Sequence, residues 1–441
     1  MTIGSSNFTT LSYAEEDVEG TCPTATFQDI AMTGESFQFS KSSITSNNIN
    51  TSRQVSDEVQ TSFEVSGGLE IEISPGNYND FIEGALWNDW KSAIEISTGT
   101  ETVHVNAATG VLTASDDVSF DTIENGQYVM IRGFSDEENN GIFKVHDTAT
   151  LTGTTLTLAP EAQDVLTTVL EGDAEAGISV TGQMIRNPAT AALSKRHSYF
   201  FERRHNDLDP IQYFSFSGCL VNSFSISASA SSLLTGSFDF MGQTSEIYND
   251  DAYDEDTNPN GVVGGGGSTY DGTKSNGNSF TAAEDFNGLN AVSHVGNVRI
   301  NGVNVNTLAS SGASGIYFQK IDFSVNNNLR GVQAIGQLGN VSVSPGQLVV
   351  EGSMDALFAD DTMYRRFISG EEFSLSFEII EEYTDTTYAG YVFTLPRCTI
   401  KSSSMNAGGS DQDLVETMQF SALMDSTFNT SVQIDYIKNS Y

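Results

Sequence analysis

Strict alternation of apolar and polar residues is the feature that most constrains the fold of this 441-residue chain. Between residues 223 and 230, four apolar side chains alternate with four serines. The same period of two returns in residues 69–73, 234–240 and 373–379. Successive side chains of a β-strand point to opposite faces of the sheet. The pattern therefore predicts half-buried strands with one apolar and one polar face.

The rest of the composition agrees with an all-β chain that has many turns. Gly, Ser, Thr and Asn are abundant and proline is rare, with 8 residues. Residues 298–305 read VRINGVNV, in which an Asn-Gly pair between apolar alternations predicts a tight hairpin. Helical spacing of apolar residues is found in two stretches. It predicts one helix over 79–91 behind an Asn or Asp cap, and a second over 353–369 behind Ser353.

The charge balance excludes several classes of function. The chain has 19 Lys and Arg against 58 Asp and Glu, a formal net charge of −39. Acidic residues outnumber basic ones about threefold, so we expect neither nucleic-acid binding by phosphate neutralisation nor adhesion to an anionic membrane. No apolar run is long enough for a membrane span, and the N-terminal residues do not resemble a secretory signal. With 10% aromatic and 38% hydrophobic residues, we expect a folded acidic protein.

Two regions of the chain share one order of predicted elements. Residues 34–90 and 315–368 each contain an apolar strand, a polar Ser- and Asn-rich bend, a second strand, a Ser-Pro-Gly turn and a helix. Later segments also correspond, since each has an aromatic strand followed by a cysteine, Cys219 or Cys398, and a Ser-rich strand. This order predicts an internal duplication.

The duplication predicts the following division of the chain. Residues 1–92 and 184–243 form the first repeat domain, and 289–441 form the second. Several short strand signals between the two parts of the first domain predict an inserted β domain at 93–183, because a loop of that length without structure is improbable. Residues 244–288 are rich in Gly, Asn and Asp, which is typical of a flexible linker.

No motif for catalysis, a cofactor or a metal is found. The sequence lacks G-x-S-x-G, H-E-x-x-H and the phosphate-binding G-x-x-x-x-G-K-[ST]. The three cysteines, which form no C-x-x-C pair, are expected to be reduced and buried. They are Cys22, Cys219 and Cys398. The histidines show no ligand spacing; they are His104, His146, His197, His205 and His294.

Two polar segments nevertheless need an interpretation. In KRHSYFFERRH we expect the cations to form salt bridges with carboxylates of a neighbour; they are Lys195, Arg196, Arg203 and Arg204, flanked by His197 and His205. A second segment has the alternating oxygens of a calcium loop, at Asp254, Asp256, Asn258 and Asn260 followed by Gly261. Pro259 and Gly265 stand where such a loop needs a glycine and a bidentate acid, so we expect a polar loop there without calcium.

Three stretches together resemble the tail tube proteins of long-tailed bacteriophages. The first, GESFQFSKSSITSNNINTSRQVSDEVQTSFEVSGGLEIEISPGNYNDFIEGAL, resembles the N-terminal signature of that family. Its bend, arginine, long strand and helix start fall on Ser43 to Ile49, Arg53, Val65 to Ile73 and Tyr78 to Ile82. IRGFSDEENNGIFKV at 131–145 resembles a module common in such proteins, and GYVFTLPRCTIKSSSMNAGGSDQDLVETMQFSALMD resembles their final Pro-turn and strand pair.

The resemblance implies an all-β fold with two short helices. Two tail-tube-type β-sandwich domains would form a ring-lining β-barrel on assembly, with the small inserted β domain on the tube exterior. The implied function is a structural virion protein, not an enzyme and without a cofactor. It would polymerise as stacked rings into a negatively charged conduit for DNA ejection into the host.

The same resemblance implies partners and location. Its main partner is itself, as a ring homo-oligomer; two repeats per chain favour a trimer with pseudo-sixfold symmetry. Other tail proteins would be the tape measure, the tail terminator and the distal tail protein. DNA would pass through the lumen without specific binding, and no membrane is involved. The protein would be synthesised in the bacterial host cytoplasm and end in the virion tail.

Specific segments can be assigned expected places in such a tube. Glu70 and Glu72, on the polar face of a repeat strand, are candidate lumen residues, with a solvated outer face or a subunit contact as the alternative. The polar bend at 42–61 and the loop at 244–288 are candidate ring-to-ring contacts that order on assembly.

Two other classes of function remain open. A virion adhesin or glycan-binding tail protein would present an exposed aromatic cluster on the inserted domain and would form no tube. A polysaccharide-degrading β enzyme would hold a pair of carboxylates in a cleft. With 58 acidic residues, carboxylate pairs arise by chance, so sequence gives that reading no support.

Overall fold

The computed structural model of the chain describes residues 3–47, 54–249, 280–282, 288–305, 316–358, 361–384, 387–405 and 413–438. These residues form 28 strands, two short α-helices and six single turns of 3-10 helix. Neither α-helix has the length and apolarity that crossing a bilayer requires. The architecture of the described residues is therefore all-β, as the sequence predicts.

The first 17 strands precede residue 250. They are β1 (Thr9–Glu15), β2 (Phe27–Asp29), β3 (Gly34–Glu35), β4 (Gln38–Thr45), β5 (Glu58–Glu72), β6 (Ile94–Ser97), β7 (Thr102–Asn106), β8 (Val111–Ala114), β9 (Tyr128–Arg132), β10 (Gly141–Lys144), β11 (Thr155–Thr157), β12 (Glu175–Ala176), β13 (Ser179–Arg186), β14 (Tyr199–His205), β15 (Gln212–Ser229), β16 (Thr235–Gly242) and β17 (Thr244–Asn249). Helix α1 is Asn79–Leu86.

The remaining elements lie after residue 279. They are β18 (Phe280–Thr281), β19 (Val295–Ile300), β20 (Val303–Asn304), β21 (Tyr317–Asn326), β22 (Arg330–Gln333), β23 (Asn340–Ser344), β24 (Val349–Leu357), β25 (Phe373–Thr384), β26 (Thr387–Met405), β27 (Val415–Ala422) and β28 (Gln433–Lys438), with helix α2 at Thr362–Ser369. The 3-10 turns are Ser6–Phe8, Phe120–Thr122, Glu137–Asn139, Pro160–Asp164, Glu171–Asp173 and Ala191–Leu193.

One long antiparallel sheet contains the same strand order twice. In the first half, β4 pairs with β5, β5 with β16, and β16 with the C-terminal part of β15. In the second half, β21 pairs with β24, β24 with β27, and β27 with the C-terminal part of β26. The two runs are joined because β15 also pairs with β21. The long sheet thus has the order β4–β5–β16–β15–β21–β24–β27–β26.

The long strands β15 and β26 also occur in a second layer that covers the long sheet. The N-terminal part of β15 pairs with β14 and β17, and the N-terminal part of β26 pairs with β25 and β28. Each strand carries a register shift two residues after its cysteine, between Val221 and Ser223 and between Ile400 and Ser402. Such bulges bend a strand, which lets one strand serve both layers.

One apolar core fills the space between the two layers and runs through both halves. Phe81 of α1 is at its centre, where its ring lies 4.5 Å from Tyr13 and 5.5 Å from Phe238, centroid to centroid. Phe224 stacks on Phe238 at 4.6 Å, and it meets Phe323 of the second half edge to face at 6.0 Å. The two halves therefore share one core.

Residues 94–180 have a core of their own, made of side chains from this segment alone. Its strands form one small sheet in the order β11–β8–β7–β12, and β13 pairs with β6 and β9. The C-terminal part of β13 then pairs with β28. This segment belongs to the first half of the sequence, but it packs against the second half.

Packing around β26 shows on which side the segment lies. Val392 is buried against Tyr128 and Met130 of the 94–180 segment, whereas its chain neighbours Tyr391 and Phe393 belong to the shared core. The segment thus covers the outer face of the second layer, and the long sheet lies on the other side of the core.

The helices differ from their predicted extents. Helix α1 ends at Leu86 because Trp87 adopts a left-handed conformation (φ 54°), and its N-cap is Tyr78, without the side-chain cap expected from Asn or Asp. The second helix was predicted from Ser353, but residues 349–357 form β24. Paired with strands on both sides, this segment buries alternate residues, and α2 begins only at Thr362.

Two other predictions concern turns and loops. The Asn-Gly hairpin is confirmed, because Ile300 pairs with Val303 and both turn residues have positive φ. Residues 244–249, at the start of the predicted linker, form β17. Most of the remainder of 244–288 lies outside the described residues, as do Ile49, Arg53 and the calcium-like segment Asp254–Asn260.

Candidate functional site

The long sheet presents one continuous polar face on the side away from the core. A single row of directly opposed residues runs across five strands, from Glu70 through Ser237, Ser225 and Ser324 to Glu351. Neighbouring rows have the same character. The face includes Gln38, Ser40, Glu64, Ser66, Glu70, Glu72, Ser223, Ser225, Ser227, Ser229, Thr235, Ser237, Asp239, Lys320, Asp322, Ser324, Asn326, Glu351, Ser353, Asp355, Thr399, Ser402, Ser404, Thr417, Gln419 and Ser421.

Acidic groups outnumber basic groups on this polar face. The carboxylates are Glu64, Glu70, Glu72, Asp239, Asp322, Glu351 and Asp355, and the cations are Lys320 and Lys401, the latter at the bulge of β26. Lys320 pairs with Asp322 at 2.5 Å, and Lys401 pairs with Glu351. A net negative surface therefore spans both halves.

Hydroxyl groups hold the carboxylates of the polar face in place. Ser223 Oγ donates to Asp239 Oδ2 at 2.6 Å, and Ser227 Oγ donates to Asp322 Oδ1 at 2.6 Å. Ser225 and Ser237 share a hydrogen bond of 2.8 Å across β15 and β16. Around Asp239 and Asp322 the face is thus an ordered layer of hydroxyls and carboxylates.

Sequence reasoning found part of this face. Glu70 and Glu72 do lie on it, opposite Ser237 and Thr235. Asp239, Asp322 and Glu351 were not foreseen. Asp239 and Asp322 occupy polar positions of alternating strands, a signal that could have identified them. The pairing of β15 with β21, which brings the two halves into one surface, joins residues about 100 positions apart and leaves no local signal.

Both ends of the long sheet have an open edge among the described residues. Strand β4 pairs with β5 alone, and residues 399–405 of β26 pair with β27 alone. Unpaired N–H and C=O groups on such an edge can pair with another strand. The sheet therefore ends in two different strands that are each able to extend it.

The basic cluster around β14 is engaged within the chain, so the prediction of salt bridges to a neighbour is wrong. Arg196 Nη2 lies 2.6 Å from Glu19, and Arg203 Nη2 lies 2.6 Å from Glu35. The remaining ion pairs are Lys195 with Asp89 and Arg204 with Asp29. β14 is an inner strand paired with both β1 and β15, which brings its cations beside carboxylates of this same chain.

His197 belongs to the same cluster. Its Nδ1 lies 2.7 Å from Glu15 Oε1, and its Nε2 lies 3.3 Å from Asp89. Burial lowers the pKa of His197, but the hydrogen bond and the charge of Glu15 outweigh it and leave the pKa above the ordinary value. His205 lies 3.0 Å from the Thr9 hydroxyl, and neither histidine is placed as a ligand with a second histidine.

All three cysteines are buried and none of them forms a disulfide, as expected. Burial raises the pKa of Cys219 well above its ordinary value and that of Cys398 to about 12, which makes both poor nucleophiles. Within the described ranges, no group of three or more His, Cys, Asp or Glu is placed to hold a metal ion.

A cleft of about 510 Å³ beside the 94–180 segment lies between β10 and the β19–β20 hairpin. Its cations are already paired, Lys144 with Asp147 at 2.7 Å and Arg299 with Glu378. The four aromatic residues of 93–183 are all buried; they are Phe120, Tyr128, Phe134 and Phe143. The exposed aromatic cluster expected of a glycan-binding domain is therefore missing from this segment, all of which is described.

A family model described as phage tail tube protein matches residues 6–422 of this chain. No curated protein matches it. The match spans both halves of the long sheet and the 94–180 segment, and it agrees with the β-sandwich architecture and the absence of any recognisable catalytic motif. The chain therefore belongs to the phage tail tube protein family, whose members are structural components of the bacteriophage virion tail.

Proposed function

We propose that the chain polymerises as stacked rings whose lumen is lined by the polar face of the long sheet. The observation that carries this proposal is that one acidic, hydroxyl-rich face extends without interruption across both halves. A sheet that is apolar on one side and polar on the other, with open edges at both ends, suits closure into a tube around water.

The lumen would act as a conduit for DNA ejection by repelling phosphates. Seven carboxylates against two lysines on the face give each chain an excess of negative charge there. Carboxylates repel phosphates over about 8 Å at physiological salt. DNA gains no counterion release from such a wall, so it passes without specific binding.

Each ring is proposed to contain three chains. The strand order β4–β5–β16–β15 is repeated as β21–β24–β27–β26, which supports a duplicated tube domain with 1–92 and 184–243 as the first and 289–441 as the second. Three chains then supply six equivalent sheets and a pseudo-sixfold lumen. Their formal charge totals about −117 from −39 per chain, and most of it need not face inward.

The inserted domain, 93–183, is assigned to the tube exterior. Its core is separate, and it covers the layer on the other side of the core from the polar face. Ring-to-ring contacts are assigned to the loop at 244–288 and to the bend at 42–61, of which residues 42–45 and 58–61 already form the exposed part of the β4–β5 hairpin. The tape measure, tail terminator and distal tail proteins are the further partners.

Electron microscopy of the purified protein tests this proposal. Tubes or stacked rings with an open lumen are the expected result. Monomers that never assemble when concentrated would overturn it and would favour the virion adhesin, the alternative that does not need a tube.

Charge reversal tests the conduit itself. Glu70, Glu72 and Asp239 changed together to lysine should leave tubes intact but slow DNA ejection from phage particles that carry the variant. The matched control places three lysines on the exposed insert, at Glu137, Glu171 and Asp173. Equal ejection rates for wild type, lumen variant and control would contradict the lumen assignment.

A further inference from the structure

The junction between the two halves shows how one chain would meet the next. In that junction the C-terminal part of β15 lies antiparallel to β21, with Ser223 opposite Asn326, Phe224 opposite Val325 and Ser225 opposite Ser324. β15 is the last strand of the first run and β21 is the first strand of the second. The strands in the corresponding positions at the two ends of the sheet are β26 and β4, whose outer edges are open.

The pairing within the sheet fixes which residues of β15 and β26 correspond. Cys219 lies opposite Tyr199 and Cys398 opposite Phe373, and both strands shift register at the same distance after the cysteine. Ser223 therefore corresponds to Ser402, and Ser225 to Ser404.

The strands on the other side of the two contacts, β21 and β4, align equally well. Phe240 lies opposite Gly67, and Phe420 lies opposite Gly352. Val325 lies opposite Val350, two residues before Gly352, and Phe39 lies opposite Val65, two residues before Gly67. Phe39 therefore corresponds to Val325, and Ser40 to Asn326.

We propose that β26 of one chain pairs antiparallel with β4 of the next copy, with Ser402 opposite Ser40, Ser403 opposite Phe39 and Ser404 opposite Gln38. This inference rests on the proposed ring, and it names the strands and the register that close it. On the polar face, Ser402 meets Ser40 and Ser404 meets Gln38. On the core side, Ser403 and Met405 cover Phe39, which is 38% exposed in the single chain.

The helices give a second, independent observation for the same contact. Asn327, just after β21, donates from Nδ2 to Ala85 O of α1 and to Val221 O, both at 3.0 Å. The second half thereby covers the end of α1, where Ala85 is fully buried. Ile368 has the corresponding place in α2, two residues before the left-handed residue that ends the helix, as Ala85 has in α1, and it is 69% exposed. In the proposed contact, the residues after Phe39 in the next copy cover Ile368.

Paired cysteines test the register directly. Directly opposed residues in antiparallel strands have Cα atoms about 4.5–5.5 Å apart, within disulfide reach, whereas an offset of two residues exceeds it. Ser40→Cys with Ser402→Cys, oxidised after assembly, should give covalent dimers and trimers on a non-reducing gel and no larger species. Gln38→Cys with Ser404→Cys should do the same. The native cysteines are buried and should not contribute.

Two controls accompany this experiment. Ser223→Cys with Asn326→Cys, the equivalent pair inside one chain, should form an intrachain disulfide and show that the geometry and the oxidant are adequate. Ser42→Cys with Ser402→Cys shifts the register by two residues and should give no ladder. Tubes without a ladder from either designed pair, or a stronger ladder from the Ser42 pair, would overturn the register and leave the proposed function intact. Wild-type protein that forms no rings at all would overturn the proposed function itself.

Discussion

The two halves of this chain have the same strand order but differ in what covers their helices. In the first half, Ala85 of α1 is buried and its carbonyl oxygen accepts a hydrogen bond from Asn327 of the second half. In the second half, Ile368 of α2 is largely exposed. The difference teaches that the second half completes the first by covering its helix. In the proposed ring, another copy of the chain would cover the helix of the second half in the same way.

The junctions also differ in apolar content. Inside the chain, Phe224 and Ile226 lie opposite Val325 and Phe323. At the open edge, β26 offers Ser402, Ser403 and Ser404, with Lys401 at the bulge. Polar and charged side chains on an edge strand limit unplanned pairing with other chains. The internal junction is thus packed with apolar side chains, whereas the open edge of β26 presents polar ones.

The insert makes a third difference, because only the first half contains one. Its β13 pairs with β28, and Thr181 and Tyr388 share a hydrogen bond of 3.2 Å. Arg132 lies over the Tyr388 ring, 4.2 Å from its centroid. The insert therefore connects the two halves on the side opposite the polar face and covers the second half there, whereas Cys22 and Phe27 pack against Ala14 and Phe200 on the first half.

The largest expected effect is a difference in stability between matched substitutions in α1 and α2. Ala85→Asp places a carboxylate in a buried site without a cation, so we expect the free energy of unfolding to fall by about 3–5 kcal/mol. Ile368→Asp, at the matched exposed position, should change it by less than about 0.5 kcal/mol in the unassembled chain yet prevent ring formation. Urea denaturation and electron microscopy measure the two effects. Similar destabilisation by both changes would contradict the comparison.

The next effect concerns the contact between the insert and the second half. Asp435 is fully buried, and it accepts hydrogen bonds from the Tyr128 N–H and from Gln433 Nε2, at 3.2 and 2.7 Å. Burial raises its pKa from 3.8 to about 7. The folded chain then holds a proton that the unfolded chain has lost, so this group's stabilisation is complete below about pH 4 and declines until about pH 7.

Asp435→Asn should remove this pH dependence. Relative to the wild type, the variant should gain stability between pH 4.5 and pH 8, by about 2–4 kcal/mol on a scale of 1.4 kcal/mol per pKa unit. Thermal and urea denaturation at several pH values measure the difference. A constant gap between the two proteins across this range would show that Asp435 titrates normally.

A smaller effect tests the side-chain amide of Asn327, which hydrogen-bonds the second half to the first. Asn327→Ala leaves the Ala85 and Val221 carbonyl oxygens without this donor in a buried place, which should cost about 1–3 kcal/mol of unfolding free energy. The residue in the corresponding position of the first half is Lys41, on an exposed strand. Lys41→Ala should change the unassembled chain by less than about 0.5 kcal/mol. If Lys41→Ala proves as costly as Asn327→Ala, the two positions are not matched as we describe.

The smallest effect concerns the bulge residues of the two long strands, Asn222 in β15 and Lys401 in β26. Asn222 Oδ1 accepts from the Leu329 N–H at 2.9 Å, whereas Lys401 forms an ion pair with Glu351 in which both side chains are about half exposed. Asn222→Ala should cost about 1 kcal/mol. Lys401→Ala should cost less, and its effect should vanish in 1 M salt, because exposed ion pairs are weak and screened. Denaturation in low and high salt distinguishes them; a salt-independent cost at Lys401 would contradict this reading.

The sequence predicted the strands well because alternation reports burial of one face directly. Residues 223–229 and 235–240 are paired strands, and the Asn301–Gly302 turn is where the dipeptide places it. The second helix was placed too early because Met354 and Leu357 also fit a helical spacing. Only pairing with β21 and β27, which is a tertiary effect, assigns them to a strand.

The candidate site was only partly predictable for the same reason. Alternation placed Glu70 and Glu72 on a polar face, but the extent of that face depends on β15 meeting β21. The arginines of β14 were misassigned because their partners, Glu35 and Asp29, are more than 160 residues away in sequence. Polar residues on β4 and β26 are compatible with open edges, but only the pairing of the strands shows that both edges are open.

The number of chains in one ring tests the central claim most directly. Native mass spectrometry of rings released from tubes should give three chains, about 142 kDa from 47.4 kDa each, because each chain already supplies two successive units of the sheet. Six chains per ring, about 284 kDa, would contradict the account, since the internal β15–β21 junction could not then stand for the contact between neighbours.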